Sequence, residues 1–139
     1  MAGPDREVWE RKLAYLRRFL EDFEAYADLD ATARLREHYA IERLLQLLCE
    51  SAANFALQVL KARGQPLAES YGEIFRQLAR EGVMPVELAD RLADACGMRN
   101  VLTHLYDAID QERVMAAVDP AVDLYRSFME WAKGQLPSC

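Results

Sequence analysis

Apolar residues recur at helical spacing along almost the whole chain, and this confines it to one architectural class. Trp9, Leu13, Leu16, Leu20, Phe23 and Ala27 follow one another at intervals of 4, 3, 4, 3 and 4. That rhythm returns to one side of an α-helix, so the spacing predicts an amphipathic helix over about 5–27. Five carboxylates and no base lie between Glu21 and Asp30. Asp28-Leu29-Asp30 reads as the break, with Asp30 as N-cap of the next element.

The next helix is expected over about 31–63, stopped by Gly64 with Pro66 just beyond. Its seam is Ile41, Leu45, Leu48, Ala52, Phe55 and Val59, and Leu44, Leu47, Ala56 and Leu60 widen it beyond one face. A helix apolar on two sides is central in its bundle, shared with a partner chain, or both; both are expected here. A third helix is predicted over about 70–80, with Tyr71, Ile74, Phe75 and Leu78 inward and Gly82 as terminator. Pro85 suits the first position of a fourth, which carries Val86, Leu88, Ala89, Leu92, Ala93 and Cys96 until Gly97 interrupts it. Another helical stretch follows Gly97, and a last helix spans about 111–133, bent near Asp119-Pro120. Strand signals are absent. The expected fold is all-α: an antiparallel up-and-down helical bundle of two long helices plus shorter ones. At 139 residues the chain suits a single domain, 1–139, with an ordered core over about 5–133 and a frayed tail from Gly134 to Cys139.

Composition removes several classes of function. Charges interrupt every apolar run before the ~18 residues a bilayer crossing needs. Met1 to Glu7 holds no basic stretch leading into an apolar block, so no secretory signal is visible. Cys49, Cys96 and Cys139 are an odd and scattered set, without disulfide or metal-ligand spacing. A reducing cytoplasmic setting without a structural metal is the expectation, with Cys49 and Cys96 as small buried hydrophobes. The net charge of -6 argues against coating nucleic acid through a broad basic face. It leaves room for an enzyme that holds one or two phosphates in a small arginine-lined cleft.

The segment Gly97-Met98-Arg99-Asn100-Val101-Leu102-Thr103-His104-Leu105-Tyr106-Asp107 departs from the rest of the chain. Elsewhere polar residues sit opposite an apolar stripe; here the two kinds are interleaved. If the segment is helical, Asn100 and His104 lie about 40° apart around the axis, and Arg99 and Tyr106 about 20° apart. Arg99 and His104 differ by about 140°, so they converge only through a long side chain at a helix start or across a second subunit. A helix beginning just after Gly97 would also offer free N–H donors to a phosphate.

Such a set suits phosphodiester cleavage without a metal ion. His104, titrating near neutrality, serves as general base or acid. Arg99 neutralises charge developing on the phosphorus, and Asn100 and Tyr106 hold the phosphate or a base. RNA would bring its own nucleophile, the 2′-hydroxyl. Singly, each residue has a plainer role: a histidine on a bundle helix usually packs, an arginine is usually solvated, and a tyrosine usually marks a core edge. His38, beside Tyr39, is read as structural or surface.

Arg99, His104 and Tyr106 together resemble the Arg-x4-His-x-Tyr signature of HepT-like toxins in the HEPN superfamily. Tyr39 to Glu50, Ser70 to Phe75 and Leu92 to Asn100 resemble the family's stretches around it, so the likeness runs over about residues 8–130. The resemblance implies a helical bundle that forms homodimers with the motifs facing a shared cleft, which would account for the over-wide apolar surface of the second helix. It implies a metal-independent ribonuclease with Arg99 and His104 as catalytic pair and Asn100 as the polar residue beside them. It also implies a cognate partner, a minimal nucleotidyltransferase (MNT) antitoxin, which in some pairs adds AMP to the motif tyrosine, here Tyr106. AMP on Tyr106 would put bulk and negative charge where RNA phosphates must sit. The alternative is a non-catalytic module that binds a nucleotide or the nucleotidyltransferase, since a shared fold does not fix function.

Overall fold

The structure, a computed structural model, describes residues 5–66, 68–104 and 111–137, with the side chains of 99–104 excepted. Among the described residues every regular element is a helix: α1 (Arg6–Ala27), α2 (Ala31–Arg36), α3 (His38–Ala62), α4 (Tyr71–Arg80), α5 (Val86–His104) and α6 (Gln111–Lys133). The all-α bundle is therefore as expected, and none of these helices is long and apolar enough to cross a membrane.

Local chemistry explains where the helices begin and end. The Asp5 carboxylate accepts the Glu7 N–H at 2.9 Å and starts α1. Asp30 accepts the Ala33 N–H at 2.8 Å and starts α2, and Ser70 accepts the Glu73 N–H at 3.3 Å at the head of α4. Gly64 and Gly82 take φ of +72° and +74°. At each, a wrapped-back pair of hydrogen bonds closes the preceding helix: Gln65 to Leu60 and Gly64 to Lys61, then Val83 to Leu78 and Gly82 to Ala79. Pro85 stands one place before α5 rather than inside it, and its carbonyl accepts the Ala89 N–H at 3.0 Å.

Three expectations about continuity need correction. The helix expected over about 31–63 is two helices, parted at Glu37, whose φ and ψ are -98° and 23°. At this break the Arg34 guanidinium donates to the Ala27 carbonyl at the end of α1 and to Asp119 on α6 at 2.8 Å, which ties α2 to the two helices on which α3 also packs. Gly97 does not interrupt α5, which runs unbroken from Val86 to His104. A glycine inside a helix costs only about 1 kcal/mol, and Gly97 lacks the positive φ of the two terminating glycines. The tail is not frayed as far as Pro137: Leu136 packs against the core, and Arg6 donates to the Pro137 carbonyl at 2.8 Å. Cys139 lies outside the described residues, and α6 continues through Pro120.

Five of the six inward positions read for α1 are buried, Trp9 to Phe23, with Ala27 at its end half-buried; Ile74, Phe75 and Leu78 of α4 are buried as well. The core centres on Phe55 of α3. Its ring meets Trp9 of α1 edge-on at 5.5 Å, and Phe128 and Trp131 of α6 at 6.2 and 6.4 Å. Helix α3 touches every other helix. Its second apolar side is used within the chain, since Leu44, Ala56 and Leu60 are buried there. The width of that stripe therefore needs no partner subunit to explain it.

Candidate functional site

Helix α5 carries three of the four residues singled out from the sequence. Positions 99, 100 and 104 all lie within it, each on helical backbone. Because α5 passes through Gly97, no helix start stands beside Arg99, and the free N–H donors expected there are absent. The register puts Asn100 and His104 about 40° apart and Arg99 about 140° from His104, with a rise of about 7.5 Å between the last two. Helical geometry alone thus places Asn100 and His104 on one face and Arg99 off it. The side chains of Arg99, Asn100 and His104, and all of Tyr106, lie outside the described residues.

The same face of α5 continues toward the helix start. Ala93, Gly97, Asn100 and His104 follow at intervals of 4, 3 and 4, within an arc of about 60°. The N-terminal half of this stripe, Ala93 and Gly97, lines a pocket of about 420 Å³ between α5 and the head of α4. Cys96 lines it too, and the opposite wall comes from Glu69 to Gly72 and Arg76. At Gly72 a side-chain carbon would just reach ordinary contact with the facing wall. A Cβ there would stand 3.7 Å from the Ala93 Cβ and 3.5 Å from Nη1 of Arg76, so that guanidinium lies over the first turn of its own helix. Tyr71, expected inward, is 36% exposed at this pocket. The sequence showed the stretch 70–75 as part of a helix and of the family resemblance, without its place beside α5. That its head faces α5 depends on the turn between the helices, which periodicity does not carry.

Beneath the pocket, Cys96 meets Cys49 of α3, with their sulfurs 2.8 Å apart and no disulfide between them. Tyr125 of α6 is buried beside them. Burial pushes its phenol pKa well above the usual value, and Cys49 and Cys96 raise it further. His38 sits away from this group in sequence, at the head of α3. Its Nδ1 lies 2.6 Å from Glu42, the one buried charged side chain among the described residues, and its ring stacks on Tyr39. The i, i+4 spacing of His38 and Glu42 was the available signal for that pair. Among the described residues no group of three or more His, Cys, Asp or Glu side chains is placed to hold a metal ion.

Comparison with known proteins adds a family, a relative and two solved structures. A family model described as Ribonuclease HepT-like matches residues 10–131, which includes all of α5. A protein of Aphanizomenon flos-aquae (strain 2012/KM1/D3) named tRNA nuclease HepT is 28% identical over 128 residues, covering 90% of this chain and 87% of its own. Among solved structures, a tri-AMPylated HEPN toxin of Shewanella oneidensis in complex with an MNT antitoxin superposes with a TM-score of 0.78 at 20% identity, covering 91% of this chain and 97% of that one. The cytosolic protein of unknown function YutE from Bacillus subtilis superposes with a TM-score of 0.79 at 19% identity, covering 100% and 99%. At such identities the two superpositions speak for the fold.

Proposed function

The chain belongs to the ribonuclease HepT-like family, and from that premise we propose that it is a metal-independent endoribonuclease toxin whose cleavage rests on Arg99 and His104. The observation that carries the reading is the register of α5. It holds Arg99, Asn100 and His104 on one continuous helix inside the matched region.

In the proposed reaction His104 takes the proton of an RNA 2′-hydroxyl. The 2′-oxygen then bonds to the adjacent phosphorus, the bond from phosphorus to the 5′-oxygen breaks, and the leaving oxygen takes up a proton. The products are a 2′,3′-cyclic phosphate and a 5′-hydroxyl. Arg99 offsets the charge that builds on the phosphoryl oxygens, while Asn100 and Tyr106 hold the phosphate or a base. Because Arg99 and His104 stand about 140° apart on the helix, the reading places both motifs in the shared cleft of a homodimer. With a net charge of -6, RNA affinity depends on a local positive cleft and weakens with salt.

The proposed partner is an MNT-type nucleotidyltransferase antitoxin, such as accompanies the Shewanella oneidensis toxin in its structure. Modification of Tyr106 with AMP would close the cleft by bulk and charge. The decisive assay is RNA cleavage by the purified protein in EDTA. Arg99→Ala and His104→Ala are each expected to lower the rate about 10²- to 10⁴-fold, and to relieve growth arrest on expression. Cleavage that disappears with EDTA and returns with a divalent cation would overturn the metal-free mechanism. Intact mass after co-expression with the nucleotidyltransferase tests the modification, with peptide mapping expected to place each added AMP on Tyr106.

A further inference from the structure

We propose that the pocket between α5 and the head of α4 is a nucleobase subsite, which receives a base of the RNA beside the scissile phosphate and gives the enzyme its base preference. The inference rests on the ribonuclease reading above and deepens it. Three observations carry it.

The first is continuity. The pocket's α5 wall, Ala93 and Gly97, and the motif positions Asn100 and His104 form one stripe. From Gly97 the axial rise is about 4.5 Å to Asn100 and about 10 Å to His104, so a strand whose phosphate lies at His104 passes the pocket with a neighbouring nucleotide. The second is shape and polarity. At about 420 Å³ the pocket has room for a flat base, and Ala93, Cys96, Gly97 and Tyr71 are among the residues that line it. Single-stranded RNA is read in this way, by bases splayed out onto aromatic and arginine planes and bonded at their edges.

The third is the charge pattern, which separates a base from a bare anion. Glu69 and Arg76 both line the pocket, and neither forms an ion pair among the described residues. A carboxylate repels a phosphate but accepts from the amino or imino groups of a base edge, while the guanidinium donates to its carbonyl or ring nitrogens. A lining that mixes both charges with apolar and aromatic residues fits a nucleobase better than any simple ion.

Gly97 supplies the test. A Cβ built there meets no described atom within 4 Å, so Gly97→Leu adds a side chain on the pocket's α5 wall, and Gly97→Ala controls for the helix. The probes are short 2′-O-methyl homopolymers of A, C, G and U, which bind but cannot be cleaved, followed by fluorescence anisotropy at low salt. The native protein is expected to favour its preferred base about tenfold, the scale of one hydrogen-bonded base edge. Gly97→Leu should erase that preference, and Gly97→Ala should keep it. Glu69→Gln and Arg76→Gln, both exposed, repeat the question without touching α5, and each should shift the preference. Four equal affinities, no binding, or a preference that survives Gly97→Leu together with both rim variants would overturn the proposal. A separate cleavage assay keeps the two readings apart. Preference without cleavage overturns the ribonuclease mechanism and leaves the subsite, whereas cleavage without preference overturns the subsite alone.

Discussion

Tyr125 is one of the largest side chains in the core with a polar end, and it is 1% exposed between the thiols of Cys49 and Cys96 and the rest of the core. Its ionised form is strongly disfavoured there, chiefly because burial strips the phenolate of water. In the unfolded chain the phenol titrates near 10. Below that pH both states hold the proton and Tyr125 adds no pH dependence. Above it the unfolded state releases the proton while the folded state keeps it, so stability falls as pH rises, by up to about 1.4 kcal/mol per pH unit from this one group. Urea unfolding at pH 8 and pH 10.5 should therefore show a smaller alkaline loss for Tyr125→Phe than for the native chain. An equal loss in both would assign the alkaline sensitivity to other groups. The sequence marked Cys49 and Cys96 as buried hydrophobes, and they are. It could not show that the two sulfurs meet, because 47 residues separate them and only the packing of α3 on α5 brings them together.

At the scale of the element, glycine shows how little of its effect belongs to the residue itself. Gly82 and Gly97 are alike in the sequence, each following a run of helical period, and each was read as a stop. Gly82 is one: φ of +74° closes α4, and a side chain there is strained although the surrounding space is open. Gly97 lies inside α5 with equally open space and no such φ. Alanine should therefore act with opposite signs at the two sites, destabilising at 82 by about 1 kcal/mol and stabilising at 97 by up to about 1 kcal/mol. Chemical denaturation of the two single variants reads this directly, and a shift of the same sign at both sites would refute the assignment. The local signals that worked were those a few neighbouring residues decide alone: the cap at Asp30 and the closing turns at Gly64 and Gly82. The break at Glu37 carries no such local signal: no side chain caps α3 there, and the bonds of Arg34 that hold α2 reach residues of α1 and α6.

At the scale of the molecule, α3 is the element around which the others are laid, and Phe55 is its centre. Edge-on contacts to Trp9, Phe128 and Trp131 join three helices at one ring. The indole N–H of Trp131 then reaches the Val83 carbonyl at 2.9 Å and ties α6 to the connection between α4 and α5. Removing that ring leaves a cavity that three helices border, so Phe55→Ala is expected to lower stability by about 3–5 kcal/mol. Tyr39→Ala, at a residue 79% exposed, should stay within about 0.5 kcal/mol. Thermal melting of both variants checks the contrast.

The sequence by itself determined which segments are helical, most of their ends, the inward face of each and the motif on α5. These follow from interactions within a few residues of one another, namely period, capping and the φ that glycine alone takes easily. Tertiary packing decided the rest: that α2 and α3 part company, that Gly97 is spanned, that α3 covers both its apolar sides within one chain, and that α4 opens a pocket beside the motif stripe. Each depends on residues distant in sequence meeting in space, and helical periodicity records only which side of a helix is apolar, never which helix will cover it.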